Sequence, residues 1–284
     1  MTNKLKFIFG ITILTLFINC AKIDTNNWNE QFDISIISFN LRFDTEEDGE
    51  NKWDNRKEAC IKALEKTKPS IFGIQEGLYH QVQYLDTNLP NYKYVGVGRD
   101  DGFTGGEYSA IFYDEKKFNL IETNNFWLSE TPNQPSLGWD ANNIRIVTWA
   151  HFKDKTNQKS IFVFNTHLDH IGKIARKESV LLLMKKIQEI VPKNETVLIT
   201  GDFNMLSSNK ALKPLLKKFK DSRKTAEKSD NKKSFNFFGN WLISRNIDFV
   251  FYKNAKAITF QTINDDFGVP FISDHYPILG KFKY

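Results

Sequence analysis

Residues 196–204 read TVLITGDFN. Thr196–Thr200 is short, mostly apolar and rich in β-branched residues, the composition of a buried strand. The run stops at Gly201 and delivers a carboxylate, Asp202, and an amide, Asn204, two positions apart. In an extended segment such a pair points to one side. Loop ends favour Asp and Asn for turn reasons, so one strand end of this kind decides little. Recurrence decides more.

The same pattern repeats in both directions along the chain. Asp33–Phe39 runs into Asn40, and Ser70–Gln75 runs into Glu76. Ser160–Asn165 leads through Thr166 to His167, and Ile247–Tyr252 carries Asp248 near its start. Ser273-Asp274-His275 precedes a last short run, Tyr276–Gly280. Further strand-like runs are Ser109–Tyr113, Ile144–Phe152 and Ala257–Thr262. Helical patterns are fewer. Ile171–Ile190 has an apolar stripe of Ile174, Val180, Leu181, Leu183, Met184 and Ile187, with Pro192 just beyond. Asp54–Lys66 and Asn209–Phe219 are shorter candidates, and 210–233 reads as a Lys-rich surface excursion. Strands that follow one another directly argue against a strictly alternating barrel. They fit an α/β fold with a mixed or antiparallel sheet pair flanked by helices.

Converging strand ends would gather several carboxylates at one edge. Clustered carboxylates repel, and burying them is costly unless a cation sits among them. Oxygen donors of this kind suit a hard ion, Mg²⁺ or Mn²⁺. His167 and His275 add proton-transfer capacity near neutral pH.

Composition sets the outer bounds. The 284 residues are 40% hydrophobic and 26% charged, enough for one sizeable core and unlike a disordered chain. The net charge of +5 suits a phosphorylated substrate but equally a solvated Lys-rich surface. The two cysteines fall at Cys20 and Cys60. Cys60 lies in the Asp54–Lys66 helical stretch and reads as a buried structural thiol.

The motifs Asn40, Gln75-Glu76, Asn165-Thr166-His167, Gly201-Asp202-Phe203-Asn204, Asn246-Ile247-Asp248 and Ser273-Asp274-His275 occur in an order that resembles the endonuclease/exonuclease/phosphatase superfamily. The resemblance spans residues 33–284. It implies a four-layer α/β sandwich with two packed mixed β-sheets flanked by helices, and a metal-dependent phosphoesterase. Glu76 would be the principal metal ligand, with Asn40 close by, and Asp274 would coordinate the metal or position the His275 imidazole. Asp202 would orient or deprotonate the attacking water, and Asn204 would hold a phosphate oxygen. His275 would bind the phosphate or transfer a proton, while Asp248 would orient an imidazole, expected to be that of His167. Which group is base and which is acid stays open. Arg145 would neutralise charge on the phosphate or serve as a structural ion pair. Glu107 would pack beside the site, and His170 would play a supporting part.

The substrate is less legible, because one core site in this superfamily serves many esters. Trp53-Asp-Asn-Arg56, Phe126-Trp-Leu-Ser and Gly138-Trp-Asp resemble an envelope-associated bacterial branch, which implies a small-molecule or lipid-linked phosphodiester. A secreted nuclease and a non-catalytic binding module on the same fold are the alternatives. No obligate protein partner is expected. The Gly96–Gly106 segment lacks the full dinucleotide-binding pattern and reads as a mobile loop.

Residues 1–20 stand apart. Lys4 and Lys6 precede an apolar run, Phe7–Ile18, and Cys20 follows. The run has the proportions of a signal peptide, and a cysteine just past it resembles a bacterial lipoprotein acceptor, although Asn19 occupies a place where a small residue is usual. A cleaved signal without lipid, or a retained anchor, are the other readings. The expectation is therefore a leader at 1–20, a linker at 21–31 and a catalytic domain at 32–284. Export to the periplasm or outer membrane follows, with membrane contact through a lipid at Cys20.

Overall fold

The computed structural model describes residues 31–284, so the leader, Cys20 and nearly all of the linker lie outside the described residues. Two sheets form the body. One has seven strands, in the spatial order β10 (Lys228–Ser229), β12 (Lys256–Thr262), β13 (Ile278–Lys283), β1 (Ile34–Asn40), β2 (Ile71–Gln75), β4 (Ile111–Asp114) and β3 (Tyr92–Val95). The other has six: β5 (Phe118–Trp127), β6 (Ile146–Asp154), β7 (Ser160–His167), β8 (Thr196–Asp202), β11 (Asp248–Lys253) and β9 (Lys220–Asp221). Both are mixed, with parallel β1–β2 and β7–β8 pairs among antiparallel neighbours.

Three apolar clusters define four layers. Between the sheets lie Ile36, Ile71, Phe152, Val163, Leu198, Val250 and Phe282. Helices α1 (Trp53–Thr67) and α2 (Tyr79–Asn88) cover the outer face of the first sheet through Cys60, Leu64, Val82 and Leu85, against Phe72 and Ile74. Helices α3 (Lys173–Ile190) and α4 (Lys213–Leu216) cover the second sheet through Val180, Leu183, Leu212 and Leu215, against Phe164 and Phe251. Short α5 (Ser222–Thr225) follows β9. Strands buried on both faces lack strict polar alternation, which is why β2 and β8 read as mostly apolar runs and β1 is broken only by Ser35 and Ser38.

Near the catalytic edge the inter-sheet layer turns polar. Asn165 on β7 donates from Nδ2 to the carbonyls of Ile74 (2.7 Å) and Ala110 (2.9 Å). Its Oδ1 accepts from Gln75 Nε2 (2.7 Å) and Thr200 Oγ1 (2.9 Å). One amide thus links the two sheets. The approach there is close: a Cβ at Gly73 would lie 2.4 Å from Thr200 Oγ1 and 2.6 Å from Asn165 Cγ. Replacing Asn165 with Leu keeps similar bulk but strands several buried polar groups, each costing about 1–3 kcal/mol. The expected loss of unfolding free energy is about 3 kcal/mol by urea titration. A loss below about 1 kcal/mol would show that the link contributes little.

Several expectations need correction. In α3 the core-facing residues are Ala175, Ser179, Val180, Leu183 and Ile187, whereas Ile174 and Leu181 stand exposed. Leu181 is one residue past Val180, and a step of about 100° carries it off the buried face. The Asn209–Phe219 helix is broken into a 3₁₀ turn, Lys210–Leu212, and α4, because Pro214 has no amide hydrogen to continue the ladder. Segment 210–233 is not wholly a surface excursion, since Leu212, Leu215 and Phe219 pack under α3. Edge strands β3 and β5 and helix α2 were not anticipated. The middle of β5, NLIETNN, is largely exposed and polar, so it gives little periodic signal.

Cys60 is fully buried, its Sγ 3.3 Å from the Ile272 carbonyl. Burial pushes its thiol up to about 11, so it is an inert core residue.

Candidate active site

Strand register assembles the site. Asn40 pairs with Gln75 across β1 and β2, which places Glu76 at the same edge. His167 pairs with Asp202 across β7 and β8, and Asp202 pairs with Asp248 across β8 and β11. The Ser273–His275 loop is fastened to this edge: Ser273 Oγ donates to the Asn40 carbonyl (2.7 Å), and the His275 amide donates to Ser273 Oγ (3.2 Å). Arg56, fully buried on α1, holds the same region. Its guanidinium donates to the carbonyls of Leu41, Arg42 (2.6 Å), Asn51 (2.9 Å) and Ile272 (3.2 Å).

Two residues leave ordinary backbone conformation here. Glu76 sits at φ 61° and Asn204 at φ 49°, both left-handed. For Glu this geometry is uncommon, and such residues concentrate at functional sites. The Asn204 turn also revises the extended geometry expected for 202–204. Asp202 Oδ1 accepts the Asn204 amide at 2.8 Å, an Asx turn that still leaves both side chains on the site.

A single oxygen is the hub. Asp202 Oδ2 lies 3.1 Å from Asn40 Nδ2, 3.6 Å from His167 Nε2 and 3.7 Å from His275 Nε2. Asn40 Nδ2 also donates to Glu76 Oε1 (3.0 Å), and Glu76 Oε2 accepts the Phe43 amide (3.2 Å). Asn204 Nδ2 donates to the Leu168 carbonyl and meets His167 Nε2 at 3.0 Å. Because an amide nitrogen only donates, Nε2 accepts, and the His167 proton resides on Nδ1. That Nδ1 is buried without a hydrogen-bond partner, 4.0 Å from Glu76 Oε1 and 3.8 Å from Glu107 Oε2.

The partner of Asp248 is corrected. Its Oδ2 lies 2.9 Å from His275 Nδ1, so Asp248 orients His275 and not His167. The reason is register: Asp248 begins β11 beside the Ser273–His275 loop, while His167 lies beyond β8. Burial alone would lower the His275 imidazole, but Asp248, Asp274 and Asp202 outweigh it and push it up to about 10. Burial, reinforced by Arg145 and Arg99, holds His167 well below its usual range and neutral. Asp202 is raised to about 7 by burial and then by Asp248.

Two groups of donors converge tightly enough to share an ion. Glu76, His167 and Asp202 each bring one atom within 4.8 Å of the others, and Asp202, Asp248 and His275 do the same. The orphaned His167 Nδ1 and Asp248 Oδ1 are further unused polar atoms at this spot. Such a set of carboxylates beside an imidazole fits a divalent cation. Two expected ligands are placed differently. Asn40 turns its nitrogen to both carboxylates and gives its oxygen to the Arg42 amide (2.9 Å). Asp274 lies outside both groups; burial raises its carboxyl, with Glu76 also raising it and His275 opposing.

Arg145 is buried and stands between Glu107 (3.8 Å) and Asp169 (3.6 Å), with Nε and Nη1 lacking hydrogen-bond partners. Its Nη2 meets His170 Nδ1 at 3.3 Å, so His170 supports Arg145. Glu107 lies beside the site as expected, and burial followed by Glu76 pushes it up to about 7. Sequence reasoning missed Arg99, whose Nη1 meets Glu107 Oε2 at 2.5 Å. It lies in the glycine-rich segment set aside as a loop. That loop is bound internally, Arg99 to Glu107, Asp100 to Gly105 and Gly98 to Phe103 through backbone hydrogen bonds. Asp169 was also missed; its carboxylate caps the amides of Asn142, Asn143, Ile171 and Gly172. Trp127, at the end of β5, is buried with Nε1 donating to the Arg99 carbonyl.

Paired mixed sheets whose shared edge gathers carboxylates and imidazoles form the DNase I-like class of α/β sandwich. The chain belongs to the endonuclease/exonuclease/phosphatase family, whose sequence profile matches residues 37–275. Family members hydrolyse phosphoesters. An endonuclease/exonuclease/phosphatase from Bacteroides vulgatus is 36% identical, with a TM-score of 0.84 over 89% of this chain and 99% of that one. A mannosyl-6-phosphatase of Bacteroides thetaiotaomicron is 34% identical, with a TM-score of 0.83 over 89% of this chain and all of the other, 100%. An uncharacterised protein of Acanthamoeba polyphaga mimivirus is 32% identical over 162 residues, 54% of this chain and 59% of that relative.

The buried charges make stability depend on pH in a definite direction. A His275 raised to about 10 in the fold, against 6.5 unfolded, stabilises fully below pH 6.5 and loses that contribution as pH rises toward 10. The chelated protein is therefore expected to melt at progressively lower temperature from pH 7 to 9. His275→Gln should flatten that slope. An unchanged slope in the variant would locate the titration elsewhere.

Proposed function

We propose that the protein is a divalent-metal-dependent phosphoester hydrolase that acts by in-line attack of water on phosphorus, on a small-molecule or lipid-linked ester. The convergence of Asn40, His167 and His275 on Asp202 Oδ2 beside Glu76 carries this reading. A divalent ion, Mg²⁺ or Mn²⁺, would be held by Glu76 with Asp202 and would supply Lewis-acid polarisation of the phosphoryl oxygen, with the neutral His167 beside it. Asp202 Oδ2 accepts the proton of the attacking water. Asn204 donates to a phosphoryl oxygen. His275, cationic and aimed by Asp248, neutralises charge on the phosphate or protonates the departing oxygen. Arg145 adds long-range positive charge from beneath the site.

The phosphodiester expected from sequence widens here to a phosphoester, because the Bacteroides thetaiotaomicron relative is named a phosphatase. Export through the 1–20 leader, with a lipid at Cys20, belongs to the same proposal and rests on sequence pattern alone.

The test is a hydrolysis panel with Mg²⁺ or Mn²⁺, with and without chelator. It contains bis-p-nitrophenyl phosphate, p-nitrophenyl phosphate, mannose 6-phosphate, sphingomyelin and plasmid DNA. Chelator-sensitive hydrolysis of a small or lipid ester is the expected result. Silence across all esters and ions would favour a binding module. Plasmid nicking at low enzyme, lost in Glu76→Gln, would make the protein a nuclease.

A further inference from the structure

The exposed apolar side chains are not scattered. Among the described residues, every large hydrophobic side chain that stands exposed, except Ile121 and Leu181, lies at the edge of the sheets that carries Asp202, on loops or on first helical turns. Phe103 is 77% exposed on the loop between β3 and β4. Leu137 lies between β5 and β6, and Leu206 lies two residues past Asn204. Trp241 and Leu242, 75% and 71% exposed, lie on the loop before β11. That loop is fastened to the site: the Asn236 and Phe237 amides donate to the Asp274 carbonyl, and the Phe235 ring lies 4.8 Å from the His275 ring. Among the described residues the opposite edge has no such side chains; its turns carry Lys116, Lys155 and Lys193, and β11 ends there at Lys253.

We infer that this apolar rim docks the catalytic mouth onto a lipid surface, where the phosphoester is presented in a headgroup. The inference rests on the phosphoesterase reading above. Side chains three-quarters exposed project outward, beyond what a small ligand seated at Asp202 would cover. Self-association through the same rim would face two mouths together and close both to substrate. A lipid surface needs no matched shape and accepts protruding tips from several loops. Charge agrees with this. No charged residue occurs from Ser234 to Ser244, while Lys173, Lys210 and Arg245 stand exposed beside the tips. Of the acids at this edge, Asp101 accepts the Phe103 and Gly105 amides beside the Phe103 tip, and Asp140 accepts those of Ile174 and Ala175, whereas the exposed Glu46, Glu47, Glu50, Asp265 and Asp266 lie on the loops after β1 and before β13. Apolar tips with basic neighbours suit an anionic interface.

The experiment uses the full chain with phosphatidylethanolamine–phosphatidylglycerol vesicles whose acyl chains are brominated. Bromine is expected to quench a component of tryptophan emission that disappears in Trp241→Phe, a signature that an N-terminal anchor cannot produce. Trp241→Ser with Leu242→Ser should weaken vesicle partitioning by about tenfold or more, with hydrolysis of a soluble p-nitrophenyl ester retained. Unquenched emission overturns the docking surface. So does a wild-type dimer in solution that the double variant abolishes. Absent soluble-ester hydrolysis would instead strike the phosphoesterase reading, because quenching is read without turnover.

Discussion

Glu76→Gln is expected to lower metal-dependent ester hydrolysis by about 10³-fold, equivalent to about 4 kcal/mol of transition-state stabilisation. The replacement is nearly isosteric. A glutamine oxygen can still accept the Phe43 amide, so the left-handed turn at 76 has the same anchor, although the glutamine nitrogen then faces Asn40 Nδ2, which must turn toward Asp202. What disappears is the negative charge that a divalent ion requires beside Asp202. The metal-free variant should therefore melt no lower than the metal-free parent, since one member of a crowded carboxylate cluster has gone. Its stabilisation by added Mg²⁺ should shrink in parallel with activity. Activity within about tenfold of the parent, with the melting response to Mg²⁺ intact, would remove Glu76 from the metal site.

Asp248 and His275 should behave as one unit. His275→Ala is expected to cost about 10³-fold, within the range for a positioned acid–base or charge-stabilising group. Asp248→Asn should cost about 10²-fold, because the imidazole remains but loses its orienting and charge-holding partner. The double variant should be no slower than His275→Ala alone, since a group that acts through another adds nothing once that other is gone. His167→Ala combined with Asp248→Asn should instead multiply. Multiplication in the His275 pair, with none in the His167 pair, would reinstate the partnership expected from sequence. The 2.9 Å contact between Asp248 and His275 argues the other way.

How far the sequence reached follows from what each residue reports. Strands buried on both faces announce themselves as apolar runs, so β1, β2, β7 and β8 and the side chains at their ends were readable. Short edge strands and the amphipathic α2 carry little such signal. Asp202 and Asn204 could be singled out because polar residues recur at the ends of several buried strands, not because one such end is unusual. The partnership of Asp248 was misjudged because it depends on which strand is next to which. Nothing in the order of residues tells that β11 lies between β8 and β9 with the 273–275 loop above it. Arg99 was missed for a related reason: its contact with Glu107 arises from the backbone pairing of a glycine-rich loop, and periodicity is silent there.

The position of the last strand has a temporal meaning. β13 lies directly against β1, and the loop just ahead of it brings His275 to Asp248. A chain paused before residue 273 would hold Asn40, Glu76, His167 and Asp202 with no imidazole above Asp248 and with the first strand paired on one side only, to β2. The shared edge is thus completed only when residues 273–283 come back onto the first strand, and a fragment ending before them would lack the imidazole that Asp248 aims.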